Sequence, residues 1–337
     1  SIEYMEENYP DIELIKLQKN FGFSKAVNIG IQHSRTPYVI LLNNDTTVDT
    51  RYVEEMVKAI EKSPKIFSVS SIQMYHPELI DSAGDLYTLL GWGVCRGCGR
   101  PVSNYQKYDE IFTACAGAAI YRRSVFDEIG YFDENHFAYL EDIDIGYRAR
   151  IYGYYNMYCP TALVYHVGSG TSGSKYNSFK VKLAARNNLY LNYKNMPALQ
   201  LVLNFIPLAI GYFVKYLFFC KIGFGKDYKE GFIEGLQTAK QQKKVKREGG
   251  VFLEAVYVLG GFGLSSIFYA VGGYLNELCI YLDNMGHPGF FQKVLVVLSV
   301  TCFILSIPAL IVFYPLQNLL LKRMERYWRR DERERLR

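Results

Sequence analysis

Up to about residue 195 the chain alternates short apolar runs with amphipathic stretches; beyond it the apolar runs lengthen. IELIKL (12–17) and YVILL (38–42) have the length and composition of strands. Ser24 to His33 and Tyr52 to Lys62 carry apolar residues at helical spacing. Such β/α alternation predicts an open α/β sheet, whose ligands bind beyond the carboxyl ends of the strands. YVILL runs straight into Asn43, Asn44 and Asp45, so amides and a carboxylate are expected at that edge.

The second half has a different pattern. Leu201 to Phe219 is apolar but interrupted by Pro207 and Lys215. Gly225 to Glu248 is rich in lysine, Val251 to Leu282 is largely apolar, and Val294 to Leu321 has no charged residue. A bilayer crossing takes about 20 apolar residues, so the last two stretches predict a transmembrane hairpin. Its ends carry the lysine-rich segment and the tail KRMERYWRRDERERLR, which places both ends on the cytoplasmic face. Leu201–Phe219 is expected to be an interfacial or re-entrant helix. The expected plan is a first domain over 1–195, an interfacial helix and lysine-rich segment over 196–250, two membrane helices over 251–321 and a basic tail over 322–337. The corresponding localisation is the inner, cytoplasmic membrane, with the first domain on the cytoplasmic side and membrane lipids as partners.

Composition changes this picture little. Half of the 337 residues are hydrophobic and the formal net charge is +5, too mild to call for a nucleic-acid partner. Seven cysteines at irregular spacing form no disulfide framework. Cys95 and Cys98 make a lone CxxC, and structural zinc needs a second pair of ligands that the spacing does not offer. No secretory signal starts the chain.

Four segments could carry chemistry. Asn43-Asn44-Asp45 reads either as a turn after a strand or as a hold on a divalent cation and phosphate oxygens. In YLEDIDIGYRAR, Glu141 and Asp144 would share a helix face while Asp142 points elsewhere. That crowding allows one carboxylate a raised pKa and a role as a base, unless the acids only complement the helix dipole. His166 ends an apolar stretch before the Gly/Ser/Thr-rich loop of YHVGSGTSGSK; histidine can ligate metal and the loop can wrap phosphate, although a core histidine and a flexible linker are the commoner outcome for either feature alone. The basic, aromatic stretch Lys175–Lys194, which includes Arg186, could approach phosphates or form a solvated helix face.

The order of these pieces resembles family 2 glycosyltransferases of the GT-A fold, in particular their rhamnosyltransferase-like branch. The stretches that carry the resemblance are NFGFSKAVNIGI (20–31), YVILLNNDTTVD (38–49), DSAG (81–84), CAGAAIYRRSVFDEIGYFDENHFAYLEDIDIGYRAR (115–150) and YHVGSGTSG (165–173). The resemblance implies a GT-A type open sheet flanked by helices over residues 1–195, with roughly the first 40 residues of the family domain missing. It implies that Asn43, Asn44 and Asp45 stand for the DxD motif, with Asp45 binding Mg²⁺ or Mn²⁺ on a nucleotide-diphosphate sugar. Asp142, paired with Glu141, would be the catalytic base. His166 would assist the metal or diphosphate, Gly117 would line the acceptor side, and Arg186 is the candidate phosphate contact from the basic stretch. The implied activity is inverting sugar transfer, rhamnose being one option, to a lipid-linked or polysaccharide acceptor. The competing readings are a processive polysaccharide synthase, which the absence of a Gln-x-x-Arg-Trp-type motif and the two expected spans disfavour, a non-catalytic membrane adaptor with a degenerate transferase domain, and a metal-dependent phosphohydrolase.

Overall fold

The computed structural model describes residues 2–76, 78–88, 90–166, 176–245, 275 and 297–302. They fall into two compact units, one of residues 1–86, 93–195 and 219–245, the other of 87–92, 196–218 and 246–337. The first unit opens with α1 (Ile2–Asn8), α2 (Phe23–His33), β1 (Tyr38–Leu42), β2 (Thr46–Val48), α3 (Tyr52–Ile60), β3 (Ile66–His76) and β4 (Leu79–Ser82). There follow β5 (Asp85–Tyr87), β6 (Gly93–Cys95), β7 (Asp109–Ile111), β8 (Ala118–Arg122), α4 (Arg123–Ile129), α5 (Glu141–Ile151), β9 (Tyr155–His166) and α6 (Ser178–Asn195). Helices α7 (Ala198–Leu203) and α8 (Phe205–Lys221) come next, and α9 (Gly225–Thr238) lies in the first unit.

The main sheet has the order β1-β8-β3-β9-β2, with β4 on β3 and β7 on β9. β8 runs antiparallel to β1 and β3, β9 runs parallel to β3, and β2 runs antiparallel to β9. The carboxyl ends of β1, β3 and β9 therefore lie on the same side as the start of β8. Side chains alternate between two cores, as a pleated strand requires. Val39, Ala119 and Tyr121 enter the core beneath Ile31, Phe126 and Ile145. Ile40, Ala118 and Ile120 enter the other, which α3 closes with Tyr52, Met56, Ala59 and Ile60 at helical spacing. At Pro160, which has no N–H to donate, the β3–β9 register jumps from Ser71↔Cys159 to Ile72↔Leu163.

Two expectations are corrected. IELIKL is irregular rather than a strand, with Ile12 and Ile15 about half exposed. A strand needs a neighbour for its ladder, and among the described residues none pairs with it. The expected C-terminal transmembrane hairpin finds no support. Among the described residues no helix is long and apolar enough to cross a membrane. The hairpin residues 251–321 lie outside the described residues apart from 275 and 297–302. Leu201–Phe219 falls on α7 and α8, which break at Asn204. α8 has 17 residues, about 26 Å of helix against the ~30 Å of a bilayer core, and carries Lys215 within it.

A buried charge knot sets the rotation of α5. Asp144, fully buried, accepts from Arg148 Nε at 3.0 Å, Lys194 Nζ at 2.9 Å and Asn195 Nδ2 at 2.7 Å. Arg148 also donates to the carbonyls of Ile129, Gly130 and Tyr131, and Lys194 reaches Asp133 at 2.6 Å. Burial by itself would raise the Asp144 pKa, but Lys194 and Arg148 outweigh it and hold the carboxyl well below the usual range. Removing one partner of such a pair typically costs about 3–5 kcal/mol. Asp144→Asn should therefore lower stability by about that amount in urea unfolding at neutral pH. Because the folded pKa lies below the unfolded one, the contribution is present above pH ~4 and is lost as the pH falls below it. The gap between wild type and variant should narrow on acidification; a gap independent of pH would contradict the role given to the ion pairs.

Candidate active site

The site is built at the carboxyl ends of β1, β3 and β9. Leaving β1, the Asn43 N–H donates to the Gly117 carbonyl at 2.8 Å, and the Thr46 hydroxyl donates back to the Asn43 carbonyl at 2.6 Å. That turn delivers Asp45 beside the last residue of β9, because Thr46 stands opposite His166 in the β2–β9 ladder. Gly117 lies against Asn43: a Cβ there would sit 3.2 Å from Asn43 Nδ2 and 3.4 Å from Gln73 Oε1. The chain passes through this gap because residue 117 has no side chain.

His166 stands between two carboxylates. Its Nε2 is 3.3 Å from Asp45 Oδ1, and its Nδ1 donates to Asp81 Oδ2 at 2.6 Å. Hydrogen bonding to Asp81, only partly opposed by burial, raises the pKa of the imidazole, with Asp45 adding to the effect. The donor set fits a divalent cation. Neighbouring ligands of an octahedral ion with ~2.1 Å bonds are about 3 Å apart, close to the Asp45–His166 separation. A ligating histidine also characteristically gives its other ring N–H to a carboxylate, which fixes the tautomer and aims the free nitrogen at the ion. Asp81 fills that second role here.

Asp142 comes from a strained approach. Phe137, Tyr139 and Leu140, none of them glycine, have φ values of 63°, 70° and 67°. Each such residue costs on the order of 1 kcal/mol or more. The strain is held by Asn187 of α6, whose Nδ2 donates to the carbonyls of His136, Ala138 and Tyr139 at 2.9, 2.8 and 2.8 Å. Helix α5 then packs tightly: a Cβ on Gly146 would lie 2.0 Å from the Thr113 hydroxyl oxygen, and that hydroxyl donates to the Asp142 carbonyl at 2.7 Å. The Asp142 carboxylate accepts from the Ile143 N–H at 2.8 Å and from the Ala116 backbone. Burial nevertheless raises its pKa. Asp85 and Cys115 adjoin it; the three ligand atoms lie within 4.8 Å of one another. The Asp85 backbone is strapped to Thr113 by hydrogen bonds in both directions. Glu141 is buried with Oε2 lacking a partner among the described residues, and burial plus the charge of Asp142 push its pKa up to about 8.

The two half-sites meet through shared segments. Residues 115–117 touch Asp142 at Ala116 and Asn43 at Gly117. Residues 81–85 carry Asp81 to His166 and Asp85 to Asp142, and Asp85 feels both the Asp142 and Asp81 charges. Of the residues singled out from sequence, Asn43, Asp45, Gly117, Glu141, Asp142 and His166 are thus linked. Arg186 is engaged otherwise: it pairs with Glu234 at 3.1 Å, donates to the carbonyls of Asn135 and His136 and covers the Tyr190 ring. The structure places it as a prop of the loop before α5. The Gly/Ser/Thr-rich loop after His166 lies outside the described residues. Sequence reasoning assigned no role to Asp81, Asp85 or Asn187. The spacing in DSAGD, with two carboxylates flanking a sharp turn at Gly84 (φ 87°), was the available signal for the first two.

One pH dependence follows from Glu141. Its proton, lost near pH 4 in an unfolded chain, is kept in the folded chain to about pH 8. Stability should therefore fall as the pH rises between those values. Glu141→Gln removes that component, so its thermal midpoint should vary less between pH ~5 and ~8 than that of the wild type. Equal slopes would show that the buried carboxyl is not protonated in the native state.

The chain matches known proteins in the same region. Residues 2–130 match the family model Glycosyl transferase family 2, a span that holds Asp45, Asp81 and Asp85 but ends before Asp142 and His166. An N-acetylglucosaminyl-diphospho-decaprenol L-rhamnosyltransferase of Mycobacterium tuberculosis is 25% identical over 198 residues, covering 50% of this chain and 62% of that protein. A poly-beta-1,6-N-acetyl-D-glucosamine synthase of Staphylococcus epidermidis is 24% identical over 166 residues, 48% of this chain and 38% of its own length. The chain thus spans less than two thirds of these relatives. The crystal structure of GalNAc-T7 with UDP, GalNAc and Mn²⁺ aligns at TM-score 0.45 and 16% identity over 57% of this chain and 38% of that one. Over residues 2–130 the chain is thus similar to the glycosyl transferase family 2 model, and a rhamnosyltransferase is among its relatives.

Proposed function

We propose that this chain carries the transfer site of an inverting, cation-dependent glycosyltransferase that acts in cell-surface glycan synthesis. The observation that carries this reading is the union of the Asp45–His166 pair with Asp142 through the segments 115–117 and 81–85. The donor is a nucleotide-diphosphate sugar. Rhamnose and a polyprenyl-diphosphate acceptor are the first substrates to test, because a relative's name specifies both. With such an acceptor the reaction takes place at a membrane surface, on the cytoplasmic side where nucleotide sugars are made.

The residues divide the work by their chemistry. Asp45 and His166 would hold Mg²⁺ or Mn²⁺, which when bound neutralises charge developing on the leaving diphosphate. Asp142 takes the proton of the acceptor hydroxyl as its oxygen attacks the anomeric carbon. The raised pKa of Asp142 suits that task, since a base works best with a pKa near the working pH. Attack from the side opposite the leaving group inverts the configuration in one displacement. Asp81 orients His166, while Thr113 and the 115–117 segment orient Asp142, so the groups are placed before substrates arrive.

The test is to incubate the chain with a panel of nucleotide sugars, Mn²⁺ or Mg²⁺ and a polyprenyl-diphosphate sugar, and to assign the product linkage by NMR. Asp142→Asn should lose about 10²–10⁴-fold in transfer while still binding the donor in calorimetry. Asp45→Ala should lose cation-dependent donor binding. Unchanged turnover in Asp142→Asn would refute the base assignment; retained cation-dependent binding in Asp45→Ala would refute the ligand assignment.

A further inference from the structure

Cys95 and Cys98 lack a second ligand pair in the sequence, but the fold gathers further soft and hard ligands next to them. Cys95 in β6 hydrogen-bonds with Cys98, donates its thiol to the Asp81 carbonyl at 3.1 Å, and neighbours both Asp85 and Cys115. Asp85, Cys115 and Asp142 each offer one atom, all within 4.8 Å of one another. Next to Asp142 in the chain, Glu141 is 7% exposed, its Oε2 has no partner among the described residues, and it feels the charge of Asp142. Burial disfavours charge on both aspartates, and at Asp85 the charges of Asp142 and Asp81 add to it. A divalent cation would remove that repulsion.

We propose that Asp85, Cys115 and Asp142 form a second cation site, chemically distinct from Asp45–His166, that takes a thiophilic ion such as Zn²⁺ and thereby blocks the base. Zinc binds thiolate at about 2.3 Å and carboxylate at about 2.0–2.2 Å, in tetrahedral sites that accept water or a further carboxylate as fourth ligand. Ligand atoms of such a site are about 3–4 Å apart, so small side-chain rotations close the cluster on an ion. A thiolate ligand favours zinc or cadmium over magnesium more strongly than an oxygen-and-imidazole pair does. On binding, the Cys115 thiol gives its proton to solvent and its sulfur lone pair to the ion. The Asp142 oxygen that bonds the ion no longer accepts the acceptor's proton. This last consequence rests on the proposed transferase reading; the binding itself does not.

The experiment uses the full chain, reduced and stripped of metal, with Cd²⁺ as probe and the sulfur-to-cadmium charge-transfer band as readout. The band should saturate at one ion per chain, disappear in Cys115→Ser, and persist in Asp45→Ala and in the Cys95→Ser, Cys98→Ser double variant. Asp85→Asn keeps the cysteine and tests the site independently of the Cys115→Ser fold. It should weaken cadmium by at least the ~10-fold that loss of an outer-shell partner causes. A band that survives Cys115→Ser, or wild-type affinity in Asp85→Asn, would overturn the site. In the transfer assay, Zn²⁺ should inhibit the wild type at concentrations at least tenfold below those inhibiting Asp85→Asn relative to its own zinc-free rate. Equal sensitivity would overturn the blocking role while leaving the binding result intact.

Discussion

The fully buried carboxylate of Asp144, tied to Arg148, Lys194 and Asn195, fixes how α5 lies on the rest of the first unit. Residues two apart on a helix point in nearly opposite directions, since each step turns 100°. With Asp144 locked towards α6, Asp142 is sent the other way, to the edge where residues 115–117 and 81–85 converge. Asn187 completes the constraint from the same helix by holding three carbonyls of the left-handed approach to α5. The candidate base is thus positioned by groups that do no chemistry themselves, as a site needing fixed geometry requires.

Carboxylates crowd this region of the described residues. Asp45, Asp81, Asp85, Glu141 and Asp142 are linked through His166, Thr113 and the 115–117 segment. His166 is the basic side chain that bridges two of them, Asp45 and Asp81. Burial raises Glu141, Asp142 and Asp85, which keeps part of the crowd protonated and so tolerable in the folded chain. Perturbed carboxyls in one cleft are a mark of functional sites.

Much of this was legible in the residues. The polar break after YVILL, the helical spacing around Tyr52 and the acidic start of α5 are local patterns, and each appears as an element or a site group. The separation of Asp142 from Asp144 was also legible, because residues two apart on a helix point in nearly opposite directions wherever it packs. What was not legible depends on long-range contact. Nothing local says that Asp81 meets a histidine 85 positions away, or that Arg186 pairs with Glu234. Strand pairing is likewise non-local: IELIKL has the composition of a strand but no neighbour among the described residues. The transmembrane hairpin expected over 251–321 finds no support, since among the described residues no helix is long and apolar enough to cross a membrane, whereas α8, expected not to span, has 17 residues.

The most direct measurement is the anomalous scattering of manganese in crystals of this chain grown with Mn²⁺ and a nucleoside diphosphate. The expected result is an ion bonded to an Asp45 oxygen and to His166 Nε2, with Asp81 still accepting from His166 Nδ1 and Asp142 left off the ion and facing the diphosphate. An ion bound away from Asp45 and His166, or an Asp142 carboxylate turned from the diphosphate, would contradict the assignment of these residues to one transfer site.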